Sequence, residues 1–132
     1  QSGDRVLLAP GTYAGAGSCG IVVDGGLTLT IEGSGAVIDC EHTQQHLRIE
    51  NSSTVTLRGV TLANGSTSNG GCLSANGTGT SVSLIGVVLV GCSASVLGGA
   101  VHVSEGALVS FSGTSAARRN SAVGGVSFSD NS

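Results

Sequence analysis

The stretch LTLTIEGSGAVIDC (residues 27–40) decides the fold, because altered copies of it return along the chain at a nearly constant interval. The later copies are STVTLRGVTLANG (53–65), TSVSLIGVVLVGC (80–92) and, more weakly, ALVSFSGTSAAR (107–118). The first glycine of each copy follows the previous one after 26, 27 and 27 residues, at Gly33, Gly59, Gly86 and Gly113. A unit of this size cannot bury its own apolar face, so it has to stack on its neighbours.

Apolar and small polar residues alternate within each copy, as expected for strands with one face in a core and the other in solvent. The alternation predicts two inward-facing columns, formed by Leu29, Val55, Val82 and Val109 and by Ile31, Leu57, Leu84 and Phe111. A second set of strands keeps the same period, in IVVD (21–24), LRIE (47–50), LSAN (73–76), VHVSE (101–105) and VSFSD (126–130). A third set follows the repeated glycines, as in AVID (36–39).

Three short strands per repeat, stacked at the usual strand spacing of about 4.8 Å, make a parallel β-solenoid. We therefore predict an all-β chain with one domain, residues 1–132. It should form about five rungs of roughly 26 residues, each with three short strands. An antiparallel β-sandwich also has short strands, but like residues do not usually return at a fixed period in that fold.

The composition agrees with short strands and tight turns, because the chain includes 23 glycines and one proline. The net charge is −3 and five residues are Lys or Arg, so a cationic surface for nucleic acid is not expected. The longest apolar run, near residues 87–90, is far shorter than the roughly 20 residues of a membrane-spanning helix. We therefore expect no nucleic-acid partner and no membrane span.

The four cysteines lie at equivalent places of the repeat. Cys19 precedes a strand of the second set, and Cys40 follows a strand of the third set one turn later. Cys72 and Cys92 repeat this arrangement two rungs further along. Neighbouring rungs lie about 4.8 Å apart, and disulfide-bonded Cα atoms roughly 4.4–6.8 Å apart. The register therefore predicts the pairs Cys19–Cys40 and Cys72–Cys92, with four buried free thiols as the alternative.

Three N-glycosylation sequons accompany the cysteines, and they begin at Asn51, Asn64 and Asn76. Disulfides persist in oxidising compartments, where N-linked glycans are also added. The two signals together predict an extracellular protein, either secreted or displayed at a cell surface.

Four segments resemble the right-handed parallel β-helix of the pectin lyase-like type: GDRVLLAPGTY (3–13), AVIDC (36–40), VTLRGVTLANG (55–65) and GGAVHVSEGALVSFSG (98–113). More narrowly, the GGAV element at 98–101 is similar to the repeats of the chlamydial-type polymorphic outer membrane proteins. The FxxN element that accompanies it in those repeats is absent after Phe111. The resemblance implies a right-handed coil and an extracellular, often cell-surface, repeat scaffold.

Pectin lyase-like β-helices also include polysaccharide lyases and glycosidases, which need clustered carboxylates or a carboxylate beside a basic side chain. Here Asp24, Glu50, Asn76, Ser104 or Glu105, and Asp130 form one column at the ends of second-set strands. Polar turn residues that satisfy the backbone are the simpler interpretation of this column. We therefore predict no catalytic residues, with a carbohydrate-active enzyme or a glycan-binding protein as the alternative.

The densest polar group is DCEHTQQH (39–46), which interrupts the strands. His42 and His46 would share a face only on a helix, so we interpret the segment as an exposed corner loop and not as a metal site. No zinc spacing, phosphate-binding loop or Ser-His-Asp order is present in the sequence. We therefore predict neither a metal ion nor a cofactor.

The predicted function is a non-catalytic structural scaffold or surface-interaction module. Ice binding is a third hypothesis, because TLT (28–30), TVT (54–56) and SVS (81–83) place a Thr/Ser ladder on one face, although Arg58 lies beside it.

Residues 3–13 are predicted to form a first coil, whereas the chain stops in a strand pattern at 127–132. An open rung edge invites strand addition. We therefore expect part of a longer repeat protein, or a unit that binds proteins, glycans or further copies through its faces and ends, with an interface at 126–132.

Overall fold

The structure is a computed structural model that describes residues 4–14, 19–69, 71–97, 100–113, 116–118, 121–123 and 126–129. Within these residues the chain forms sixteen β-strands and no helix. The strands are β1 (Asp4–Leu8), β2 (Gly11–Ala14), β3 (Ile21–Val23), β4 (Thr28–Asp39), β5 (Leu47–Glu50), β6 (Thr54–Ala63), β7 (Ser66–Asn69), β8 (Leu73–Asn76), β9 (Ser81–Ile85), β10 (Val88–Val90), β11 (Ser93–Leu97), β12 (Val101–Ser104), β13 (Leu108–Ser112), β14 (Ala116–Arg118), β15 (Ser121–Val123) and β16 (Val126–Ser129).

The strands pair in parallel and form three sheets around one core. Sheet A has eight strands, in the order β1, β4, β6, β10 and β14, with β2, β9 and β13 paired beside them. Sheet B stacks β3, β5, β8, β12 and β16, and the small sheet C stacks β7, β11 and β15. The chain is therefore the predicted all-β parallel solenoid, with about four turns whose equivalent residues lie about 26 positions apart.

The strand register follows the sequence copies. Leu29 pairs with Val55, and Val55 pairs with Val82, which in turn pairs with Val109. The side chains of Val55 and Val82 are at most 1% exposed. Each turn thus places an apolar side chain one strand spacing from its equivalent, and the columns of such side chains are the core.

The second apolar column ends in a side chain that is not buried. Phe111 pairs with Leu84 in the expected register, yet it is 39% exposed, whereas Leu84 is fully buried. β13 pairs with β9, and no strand of the described residues covers the other edge of β13. The register predicted for Phe111 is therefore confirmed, but its predicted burial is not, because burial also needs a neighbouring rung on both sides.

Two features differ from the prediction of three short strands in each rung. Segments of the first and third sets merge into the continuous strands β4 and β6, of 12 and 10 residues. Sheet C adds a further strand in the later turns, and its first member, β7, has the sequence STSN. Such a strand has no apolar alternation, so the hydrophobic pattern could not reveal it.

The merged strand β6 depends on Gly59, whose φ is +73°. A Cβ atom at this position would collide with the backbone oxygen of Gly33 in the neighbouring turn. Glycine is required here both for the left-handed backbone and for the close approach of two turns. The repeated glycines that define the sequence period are thus sites of contact between coils.

Leu57→Ala should lower the free energy of unfolding by about 2–5 kcal/mol, because it removes a fully buried side chain and leaves a cavity. Leu108→Ala is the matched control, since Leu108 is 66% exposed and its truncation should cost less than about 0.5 kcal/mol. Urea unfolding followed by circular dichroism measures both variants. Equal losses would contradict the assignment of the strand faces.

Candidate functional site

Two disulfides brace the corner where the chain leaves sheet A. The Cα atoms of Cys19 and Cys40 lie 5.9 Å apart, and those of Cys72 and Cys92 lie 5.4 Å apart. Each bond joins a residue shortly before a strand of sheet B to a residue shortly after a strand of sheet A in the adjacent turn. All four cysteines are buried, and both predicted pairings are confirmed.

His46 lies at the same corner, in the turn between the two disulfides. It directly precedes β5, as Cys72 precedes β8, and its backbone N–H donates to the Cys72 carbonyl at 3.0 Å. Its ring Nε2 lies 2.7 Å from the backbone oxygen of Ile38, near the end of β4. Because a carbonyl oxygen only accepts, Nε2 carries the proton and donates it. In this turn the His46–Ile38 hydrogen bond connects the two sides of the corner, as the disulfides do in other turns.

The burial of His46 corrects the prediction that residues 39–46 form an exposed loop. Glu41, His42 and Thr43 are exposed, but His46 is only 2% exposed. His42 and His46 therefore do not converge on one site. A usable signal was present in the sequence, because His46 and Cys72 both come directly before a second-set strand, at a position that faces the interior.

Burial also determines the charge of His46. Desolvation lowers the pKa of the imidazole, while the hydrogen bond to Ile38, the carboxylate of Asp39 and the nearby backbone of Ala63 act in the opposite direction. Nδ1 is buried and has no hydrogen-bond partner. Asp39 is itself fixed, because its Oδ1 accepts from the Glu41 N–H at 2.8 Å and from Asn64 Nδ2 at 3.1 Å. At neutral pH His46 is therefore an uncharged base.

The outer face of sheet B carries a polar groove of about 320 Å³. Arg48, Ser74 and His102 line it in register, one residue from each of three consecutive turns. Thr67 of β7 and Gln45 also contribute to its lining. These three residues therefore form one column on the outer face of sheet B, and the surface there is concave.

The charges of the groove come from one ion pair. Nε of Arg48 lies 3.2 Å from Oε2 of Glu50. The Ser104 hydroxyl donates to Oδ1 of Asn76 at 3.4 Å. His102 is 9% exposed, and desolvation lowers its pKa, so its ring is neutral at neutral pH. The groove therefore offers hydrogen-bond donors and acceptors, and the charges of its Arg48 and Glu50 side chains cancel.

The predicted polar column lies at the edge of this groove. Glu50, Asn76 and Ser104 pair in register at the ends of their strands, while Asp130 lies outside the described residues. In the next turn, the buried Thr80 hydroxyl accepts from the Ser52 N–H at 3.0 Å and donates to the Asn76 carbonyl at 2.9 Å. Hydrogen bonds of this kind fit the interpretation of the column as polar turn residues.

The outer face of sheet A bears the Thr/Ser ladder and a small ion-pair network. Thr30 pairs with Thr56, and Thr56 with Ser83. Glu32 bridges Arg5 and Arg58, at 2.8 and 3.2 Å. Exposed pairs of this type contribute at most about 1 kcal/mol, so this face is a solvated surface and not a source of stability.

The three sequons lie in different surroundings. Asn51 and Asn76 are both exposed near the turns between sheets B and A, although Asn76 also lines the polar groove and its Oδ1 accepts from Ser104 at 3.4 Å. Asn64 is half-buried, and its Nδ2 donates to Asp39. A glycan on Asn64 would have to break this hydrogen bond, so the exposed pair is the better acceptor.

The first turn ends in an apolar hollow of about 260 Å³. β1 and β2 pair with β4, which confirms the predicted first coil. The hollow is lined by Val6, Leu8, Tyr13 and Ile21, among others, and Val6 and Ile21 are 41% and 39% exposed. Within the described residues no strand covers this end of the solenoid. At the opposite end β16 pairs with β12, and 130–132 lie outside the described residues.

The chain matches no protein-family model, no curated protein and no solved structure. The described residues include no helix with the length and apolar character needed to cross a membrane. The stacked parallel strands and the disulfide-bonded corner define the chain as a β-solenoid braced by disulfides. The two disulfides indicate a non-reducing environment.

His46→Gln should make stability less dependent on pH. The unfolded chain takes up a proton on His46 near pH 6.5, whereas the folded chain resists it, so acidification below about pH 6.5 destabilises the fold. Urea unfolding between about pH 5 and 7.5 measures the slope, which should be shallower in the variant. His42→Gln is the matched control, since His42 is exposed, and an equal flattening in both variants would contradict the assignment.

Proposed function

We propose that this chain is a non-catalytic extracellular β-solenoid that acts as a rigid structural element and presents its faces and ends to partners. The observation that carries the proposal is the pair of disulfides at one corner of the coil. Such bonds constrain the unfolded chain, and they persist only outside reducing compartments. The exposed sequons at Asn51 and Asn76 also support an extracellular location.

The engagement of the acidic side chains supports a non-catalytic role. Glu32 bridges two arginines, Glu50 pairs with Arg48, and Asp39 accepts two hydrogen bonds at the corner. Catalysis of glycoside cleavage needs carboxyl groups that face a common substrate with different protonation states. These three carboxylates are instead engaged in ion pairs and hydrogen bonds with side chains and backbone of the coil itself.

The ends of the coil support assembly. Within the described residues no strand pairs with the outer edge of β1, and the apolar hollow lies beside that edge, so this surface can accept a further strand. A second β-coil is the complementary surface, since it supplies both apolar side chains and backbone partners. The same proposal includes a right-handed coil and a total of five rungs over residues 1–132, of which the described residues form about four turns. It also includes a relationship to pectin lyase-like and polymorphic outer membrane protein repeats, which the sequence motifs quoted above support.

Expression through a eukaryotic secretory pathway tests the extracellular role. The secreted protein should contain no free thiol and should carry glycans at Asn51 or Asn76 in preference to Asn64. Removal of one bridge by Cys72→Ser with Cys92→Ser should lower the free energy of unfolding by roughly 3 kcal/mol, because it opens a loop of about 20 residues. Four free thiols in the secreted protein, with unchanged stability on reduction, would overturn the proposal.

Incubation with a panel of plant and microbial polysaccharides tests the non-catalytic part. No new reducing ends and no unsaturated sugar products should form. Product formation that Glu50→Gln abolishes would replace the scaffold proposal by an enzyme.

Glycan binding in the sheet B groove is a second candidate, and the Arg48–Glu50 pair favours it. A guanidinium donates to sugar hydroxyls, and a carboxylate accepts from them, so the pair can bind two neighbouring hydroxyls of a neutral sugar. Ser74 and Asn76 extend this surface along the coil. The probe is therefore a neutral oligosaccharide with vicinal hydroxyls.

Titration with neutral β-linked hexasaccharides, followed by NMR, should shift the amide signals of Ser74 and Asn76. Arg48→Ala should weaken the binding at least about tenfold, the cost of a lost charged hydrogen bond. Arg58→Ala is the matched control, because Arg58 is a similarly exposed, ion-paired arginine on sheet A. Absence of shifts, or equal losses in both variants, would refute this candidate.

A further inference from the structure

The corner at Cys19 and Cys40 brings together three groups that bind metal ions. The two sulfur atoms and a ring nitrogen of His46 all lie within 4.8 Å of one another. All three residues are buried, with exposed fractions of 7%, 1% and 2%. In the oxidised protein the two sulfurs are bonded to each other, so they are not thiolate ligands.

The hydrogen bonding of His46 prepares one ring nitrogen for coordination. Nε2 donates its proton to the carbonyl of Ile38 at 2.7 Å, so the lone pair lies on Nδ1. Nδ1 is buried without a hydrogen-bond partner. Histidine ligands of metal ions commonly donate their second ring N–H to a backbone carbonyl, which fixes the tautomer and the ring. An unsatisfied buried acceptor also has a cost that a metal ion would remove.

We propose that reduction of the Cys19–Cys40 disulfide converts this corner into a Zn²⁺ site with two thiolates and Nδ1 of His46 as ligands. A small dithiol reduces the protein disulfide and becomes a disulfide itself, and the two electrons and two protons pass to the two sulfur atoms. Zn²⁺ then displaces both thiol protons, which are released to solvent. Two cysteines and a histidine, with water in the fourth position, are a ligand set that suits Zn²⁺.

The distances are compatible with this exchange. Zn–S and Zn–N bonds of about 2.3 and 2.0 Å place tetrahedral ligand atoms roughly 3.5–3.8 Å apart. The sulfur atoms must therefore separate after reduction, and the ring nitrogen, which lies within 4.8 Å of them, must approach by up to about 1 Å. The carboxylate of Asp39 acts on His46 electrostatically and favours a cation nearby.

The second disulfide provides an internal comparison. Cys72 and Cys92 occupy the equivalent corner two turns away, but within the described residues no histidine or carboxylate joins them as a third ligand. Reduction of the Cys72–Cys92 disulfide therefore yields two thiols without a histidine nitrogen already placed beside them. The proposal is thus specific to the first corner, where a metal ion would restore under reducing conditions the brace that the disulfide supplies under oxidising ones.

The experiment uses the full chain, reduced with a phosphine that water converts to the phosphine oxide, and then titrated with Zn²⁺ alone. Native mass spectrometry should find one Zn²⁺ on the reduced protein and none on the oxidised protein. The variant Cys72→Ala with Cys92→Ala should retain the ion, whereas Cys19→Ala with Cys40→Ala should lose it. His46→Gln should weaken binding roughly 100-fold, since one of three protein ligands is lost.

Co²⁺ in place of Zn²⁺ gives a readout that does not depend on stability. The reduced protein should show thiolate-to-cobalt charge transfer and the intense visible bands of tetrahedral Co²⁺. Both signals should weaken in His46→Gln, whereas His46→Cys should keep them. Circular dichroism reports whether each reduced variant is folded. Binding that survives loss of Cys19 and Cys40, equal binding by the oxidised protein, or no binding by the reduced protein, folded or unfolded, would overturn the proposal.

Discussion

The structure depends on one constraint: equivalent residues of successive turns must stack in register at the spacing of parallel strands. Val55 lies between Leu29 and Val82 because the copies are 26 and 27 residues apart. A slip of one residue would move every apolar side chain of a strand to the solvent face. Gly59 enforces the same spacing, since no larger residue fits against Gly33 in the preceding turn.

The corner that carries the cysteines converts this register into covalent and hydrogen-bonded braces. The Cys19–Cys40 bond is possible only because neighbouring turns place those positions 5.9 Å apart at their Cα atoms. His46 occupies the intervening turn and uses a hydrogen bond to Ile38 for the same purpose. The interior of the corner is therefore specified for stability, which leaves the outer faces of sheets A and B free to vary in surface chemistry.

The sequence was sufficient for the period, the strand faces and the disulfide pairs, because each of these follows from like residues in like positions. It was not sufficient for sheet C, since STSN carries no apolar alternation. The burial of His46 was also missed, because the polar loop 39–46 masks its alignment with Cys72. The groove beside Arg48 could not be predicted, since one of its lining residues, Thr67, lies in β7 of the unpredicted sheet.

Non-reducing peptide mapping tests the stacking most directly. Trypsin cleaves after Arg48 and Arg58, between the second and third cysteines, and so separates residues 6–48 from residues 59–118. If adjacent turns stack as described, each of these peptides holds one internal disulfide, and the two are recovered separately, each lighter by two hydrogens than its reduced form. Recovery of the two peptides joined by disulfides would mean that Cys19 and Cys40 pair with Cys72 and Cys92, which would contradict the register.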